Sequence, residues 1–175
     1  MGKGKKQRMQ EKKKLKQQTD EPEEECKHID AEELESEGEG VELNPREQAF
    51  IDYGFNKLEK YELMKIIRET EDMDEIIALT GAKDDDVRLK ACQEMCPCHV
   101  KADREEFWDT IISLANDENE TIRYQVLHNL CDGSPPHLED RLIRTLEIFN
   151  RDPNKKIRRK VHQVLGSYFH KGKWN

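Results

Sequence analysis

No stretch of this chain approaches the roughly 18 consecutive apolar residues that a membrane-spanning helix needs. Nor does an apolar segment of the kind found in a secretory leader follow the N-terminus. Aromatic residues make up 6% and hydrophobic residues 34% of 175 positions, against 39% charged. That is too polar for the whole chain to pack as one compact body. There is no glycine-rich phosphate loop and no Ser/His/Asp signature. Cysteine is sparse and odd in number, with Cys26, Cys92, Cys96, Cys98 and Cys131. Without a leader, an odd count points to reduced thiols in the cytoplasm, with the nucleus as the alternative compartment. Lys6 stands where N-myristoylation favours Ser or Thr, so no lipid anchor is expected. These absences argue against a membrane-spanning helix, a disulfide scaffold and a P-loop enzyme. No catalytic residue, cofactor or small-molecule substrate is expected.

The shortage of apolar residues is local. Residues 1–47 hold 10 basic and 14 acidic side chains, arranged in blocks. Lys3, Lys5, Lys6, Arg8, Lys12, Lys13, Lys14 and Lys16 face a single Glu11, and from Asp20 to Glu42 the sign reverses. Residues 1–43 therefore read as a disordered basic-then-acidic arm. Its basic part suits contact with RNA or ribosome, or nuclear import, through Coulomb attraction alone. The alternative is a solvated tail. Order is expected from Asn44-Pro45, a helix cap followed by proline at the first helical position. Residues 44–71 then form a helical cap, with Phe50, Ile51, Phe55, Leu58, Tyr61, Leu63, Met64, Ile66 and Ile67 at helical spacing and Gly54 as a junction.

Beyond the cap one phrase returns every 35 residues: Val87-Arg88, Ile122-Arg123, Ile157-Arg158. Each copy continues with apolar residues at i+4 and i+8: Ala91 and Met95, Val126 and Leu130, Val161 and Leu165. That is one stripe of a helix. A second stripe precedes each copy, formed by Met73, Ile76, Ile77 and Leu79, then Trp108, Ile111, Ile112 and Leu114, then Ile143, Leu146 and Phe149. The spacing predicts helix pairs at about 73–80 with 85–96, 104–116 with 119–131, and 137–150 with 154–169. Asp84, Asn119 and Asn154 stand three residues before the phrase, where each can cap its helix. Asp103 with Glu106 suggests a capping box. Asp132-Gly133 supplies a stop, and Pro135-Pro136 a restart. Two helices per unit at this period mean an α-solenoid.

These residues resemble the HEAT repeat family, including its phycobilisome-lyase-like branch. The resemblance rests on Asp117…Ile122-Arg123…Val126…Leu130 and on Asp152-Pro153…Ile157-Arg158…Val161…Leu165. The first copy departs, with Asp84, Asp85 and Asp86 closer to Val87. It covers residues 72–165 and implies an all-α, right-handed HEAT-like solenoid of about three helix pairs over 72–175. It also implies that each Arg pairs with a loop Asp, so Asp117 and Asp152 are the expected partners. One HEAT-repeat iron enzyme, deoxyhypusine hydroxylase, requires His-Glu pairs; here His128 precedes Asn129 and His162 precedes Gln163. An enzyme of the lyase-like branch, or a helical-repeat glycosylase, lacks an evident acid or base here.

Because such repeats scaffold many activities, function must come from a face. The resemblance places the second helix of each pair on the concave side. Positions i+2 and i+6 should then point outward: Leu89 and Gln93, Tyr124 and His128, Arg159 and Gln163. Aromatic and Arg anchors among amides suit a protein partner, and Lys156 and Lys160 flank the strip. Residues 48–150 carry net charge −11 and residues 151–175 net +7. The basic end therefore offers the alternative of nucleic-acid or ribosome binding together with the basic arm. It could also be covered by the acidic linker. Cys92, Cys96, Cys98, His99 and Cys131 have the ligand types of a zinc site, but lack paired C-x2-C knuckles. They are read as metal-free structural thiols.

Overall fold

The protein is described by a computed structural model over residues 43–101 and 103–171. The expectation of an arm over 1–43 lies, apart from Leu43, outside the described residues, as do the last four positions. Among the described residues the protein is all-α, with no strand. The helices are α1 (Pro45–Asp52), α2 (Lys60–Glu69), α3 (Met73–Leu79), α4 (Asp85–Glu94), α5 (Glu105–Ser113), α6 (Glu120–Cys131), α7 (Glu139–Phe149) and α8 (Lys155–Lys171). Single 310 turns stand at Phe55–Lys57, Leu114–Asn116 and Pro136–Leu138.

Local chemistry sets these boundaries. Asn44 caps α1 in a full capping box with Glu47, ahead of Pro45. Asp84 accepts from the Asp86 and Val87 N–H groups, Asn119 from Thr121 N–H, and Asn154 from Lys156 N–H. The same cap thus recurs at the same offset. The box expected at Asp103 does not form. Arg104 is the N-cap residue of α5 and makes no side-chain cap bond. Its guanidinium instead reaches Asp74 at 2.7 Å, tying α5 to α3. Helix α4 stops at Glu94, short of the expected 96, and a turn over 97–99 follows.

Packing follows the two stripes. Helices α2, α4, α6 and α8 pack each on the next, while α3, α5 and α7 pack on α4, α6 and α8 respectively. Val87, Ala91 and Met95, Ile122, Val126 and Leu130, and Ile157, Val161 and Leu165 are all buried. Trp108 and Phe107 are the largest fully buried side chains among the described residues, and they meet edge to face at 5.4 Å. In the N-terminal part Ile51 and Tyr61 are exposed, contrary to the pattern. Helices α1 and α2 bury only one narrow face each, through Phe50 and through Leu63 with Ile67. No helix among the described residues is long and apolar enough to cross a membrane.

Candidate protein-interaction face

The repeated arginines are tied to neighbouring loops, with Arg123 buried and Arg88 and Arg158 half-buried. Arg88 Nε and Nη2 donate to the two oxygens of Asp117 at 3.0 and 3.1 Å, and Arg123 to those of Asp152 at 2.7 and 3.1 Å. Arg123 and Asp152 are only 8% and 6% exposed. Each Nη1 donates to two carbonyls in the preceding loop: Ala82 and Lys83, then Asp117 and Glu118, then, for Arg158, Asp152 and Pro153. Burial pushes the Asp152 carboxyl up. The Arg123 hydrogen bond, the Asn154 N–H and the charges of Arg123 and Arg158 outweigh that and hold it below its ordinary value. Arg88 and Arg123 therefore pair with Asp117 and Asp152, as the resemblance implied, and these forks occupy donors a phosphate would need. Arg158 departs from that expectation, since among the described residues it donates to loop carbonyls only.

The outward strip divides. Tyr124 is 48% exposed, and Gln93, His128, Arg159 and Gln163 are exposed as well. Leu89 is not an outward residue: it is half-buried and packs on the core. Tyr124, Lys156, Arg159, Lys160 and Gln163 line one groove of about 520 Å³ between α6 and α8, with Glu120, Thr121 and Asn154. Its charge is three cations to one acid, and Glu120 already accepts from Asn154 Nδ2 at 2.7 Å. Gln93 and Leu89 do not line it, and His128 turns instead to Cys96, with Nε2 3.5 Å from Sγ.

A larger concavity of about 930 Å³ was not anticipated from the sequence. It lies beside the Arg123–Asp152 fork and is lined by Asp117, Arg144, Glu147, Ile148 and Arg151 among others. Its charges are mixed, so it favours no one sign of ligand. The signal for it was Ile148, an apolar residue off the helical stripe and 45% exposed.

Cys92 is fully buried, and Asn129 Nδ2 donates to its carbonyl at 2.8 Å. Burial pushes the Cys92 thiol up to about 12 and that of Cys131 to about 11. Both are poor nucleophiles at neutral pH. No protein-family model, curated protein or solved structure matches this chain.

Proposed function

We propose that this chain is a non-enzymatic protein-interaction module. In this reading it is a short, right-handed HEAT-like α-solenoid that docks an acidic segment of a partner protein in the α6–α8 groove. Support for the architecture comes from the two forks set 35 residues apart and from the succession of helices packed each on the next. The observation that carries the function is the grouping of Tyr124, Lys156, Arg159, Lys160 and Gln163 around one concavity. A tyrosine ring and a guanidinium are common anchors of interfaces. The two lysines steer an acidic partner towards them.

The same three cations support a second reading, nucleic-acid binding by this end of the fold. The two differ in salt dependence, because each neutralised phosphate releases counterions. The test uses the full chain and a Tyr124→Ala, Arg159→Ala variant, with circular dichroism to verify the fold. Affinity capture with quantitative mass spectrometry is followed by titration of one captured partner. Loss of about 1–3 kcal/mol of binding in the variant is expected, the scale of interface anchors. Unchanged affinity would place the site elsewhere. Tight binding of single-stranded RNA, falling steeply with salt and weakened in the variant, would transfer the groove to nucleic acid.

A further inference from the structure

Four metal-type donors converge where the turn after α4 meets the end of α6. Cys96 Sγ lies 3.5 Å from His128 Nε2 and 3.6 Å from Asp132 Oδ2, and those two atoms are 3.8 Å apart. With Cys98, one ligand atom from each residue lies within 4.8 Å of all the others. Tetrahedral zinc has bonds of about 2.3 Å to sulfur and about 2.0–2.2 Å to nitrogen and oxygen. By simple geometry its donors then stand about 3.3–3.8 Å apart. The two edges from Cys96 fall in that range, while the His128–Asp132 edge is longer than the roughly 3.3–3.6 Å of a nitrogen–oxygen pair and would shorten on binding.

The arrangement is built by the backbone. Because α4 ends at Glu94, residues 97–99 turn back on themselves, held by the His99 and Val100 N–H groups on the Cys96 carbonyl at 2.9 and 3.0 Å. That turn presents both sulfurs of a C-x-C pair. His128 lies in the last turn of α6 and Asp132 is its C-cap residue, so an i, i+4 spacing puts them on one side. Gly133 follows with φ +117°, a conformation that disfavours any side chain, and a Cβ there would stand 3.6 Å from Pro97 Cβ. The 3.6 Å spacing is ordinary contact, so it is the backbone conformation rather than the space that favours glycine here.

We infer that Cys96, Cys98, His128 and Asp132 form a binding site for a zinc ion, which clips the turn after α4 to the end of α6. The donor types select the metal: two thiolates and an imidazole favour zinc over magnesium or calcium, while one carboxylate completes four ligands. With all four positions supplied by the protein the site is structural, with none left open for a substrate. Cys96 is buried while Cys98 and His128 are exposed, so the ion can enter from solvent. On binding, the Cys96 and Cys98 thiols lose their protons to solvent and their sulfurs bond the metal. This departs from the metal-free reading of the cysteines in the sequence, and the residues differ from the cysteine–histidine group considered there. Cys92 and Cys131 drop out, the first facing Asn129 in the core, and the C-terminal turn of α6 supplies their replacements. The inference is independent of the partner groove.

The test is elemental analysis of the full chain purified reduced and without a metal-affinity tag, then titration of the metal-free protein with Zn2+ and with Co2+ as an optical probe. One zinc per chain is expected, with the visible absorption of tetrahedral, thiolate-bound cobalt and release of protons. Cys98→Ser and His128→Ala alter exposed side chains and should leave the circular dichroism of the metal-free chain unchanged. Each should weaken zinc binding by more than the roughly 10–100-fold that losing an outer hydrogen-bond partner costs. Cys131→Ser should bind as wild type. No zinc uptake by the reduced chain, or uptake that survives Cys98→Ser and His128→Ala, would overturn the site. Loss of binding on Cys131→Ser alone would do the same.

Discussion

The α4–α6 and α6–α8 junctions are alike at one end and unlike at the other. At the loop end each has a bidentate Arg–Asp fork, Arg88–Asp117 in one and Arg123–Asp152 in the other. Each also has an Asn donating to an acid, Asn119 to Asp85 and Asn154 to Glu120. At the opposite end the first junction carries Cys96, Cys98, His128 and Asp132. Thirty-five residues on, the corresponding positions are Cys131, Gly133, Gln163 and Ser167, which cannot form that ligand set. What recurs is what any pair of neighbouring helices needs to stack. What occurs once is where this molecule departs from its own repeat, and that is where specific chemistry should be sought.

The largest expected effect breaks the recurring end. Arg123→Ala leaves Asp152 buried without its guanidinium and should cost about 3–5 kcal/mol, the scale for removing one partner of a buried pair. Arg88→Ala should cost less, since Arg88 is more exposed and also faces the solvent-exposed Asp85. Arg158→Ala should cost least, because Arg158 donates to the Asp152 and Pro153 carbonyls and has no carboxylate within ion-pair distance among the described residues. Urea denaturation of the three variants checks the order. Equal losses would mean that the carbonyl contacts, common to all three, hold the junctions rather than the forks.

A smaller effect comes from acid. Asp152 has its folded value held below the ordinary carboxylate value of about 3.9. Its contribution is therefore present above that ordinary value and is lost as pH falls through the folded one. Wild-type stability should drop steeply below about pH 4. In Asp152→Asn, lower at neutral pH, this part of the decline should vanish. The difference between the two proteins should narrow with acidification and stay constant from pH 5 to 8. A constant difference down to pH 2 would show that Asp152 is not the linked group.

The recurring end was legible in the sequence because it is periodic. A branched residue followed by Arg, with a capping Asn or Asp three residues before it, returns at a fixed interval. Periodicity survives any uncertainty about side-chain rotamers. The metal-type cluster was only half legible. A register of 35 aligns Cys131 with Cys96, yet Cys96 touches His128 and Asp132, 32 and 36 residues away. Equivalent residues run parallel along neighbouring helices, whereas contacts form between residues offset by a turn. The offset depends on where α4 stops, and Glu94 rather than Cys96 ends it. The outward pattern agrees with the exposure of Gln93, Tyr124, His128, Arg159 and Gln163. It failed for Leu89, which is half-buried against the core.

The smallest effect sharpens the comparison from the α8 side and has the opposite sign. Gly166 stands where the repeat places Cys131 on α6, but it lies inside the continuous helix Lys155–Lys171. A Cβ built there meets nothing within 4 Å. Glycine within a helix loses more backbone freedom on folding than alanine, and here no neighbour opposes a methyl group. Gly166→Ala should therefore stabilise the fold by roughly 0.4–1 kcal/mol, through fewer unfolded conformations rather than new contacts. Gly133→Ala is the matched opposite, since φ +117° strains any side chain and stability should fall. Thermal and urea midpoints measured on both variants decide it. A loss of stability in Gly166→Ala would show that α8 is packed more closely at that turn than the open space around Gly166 allows.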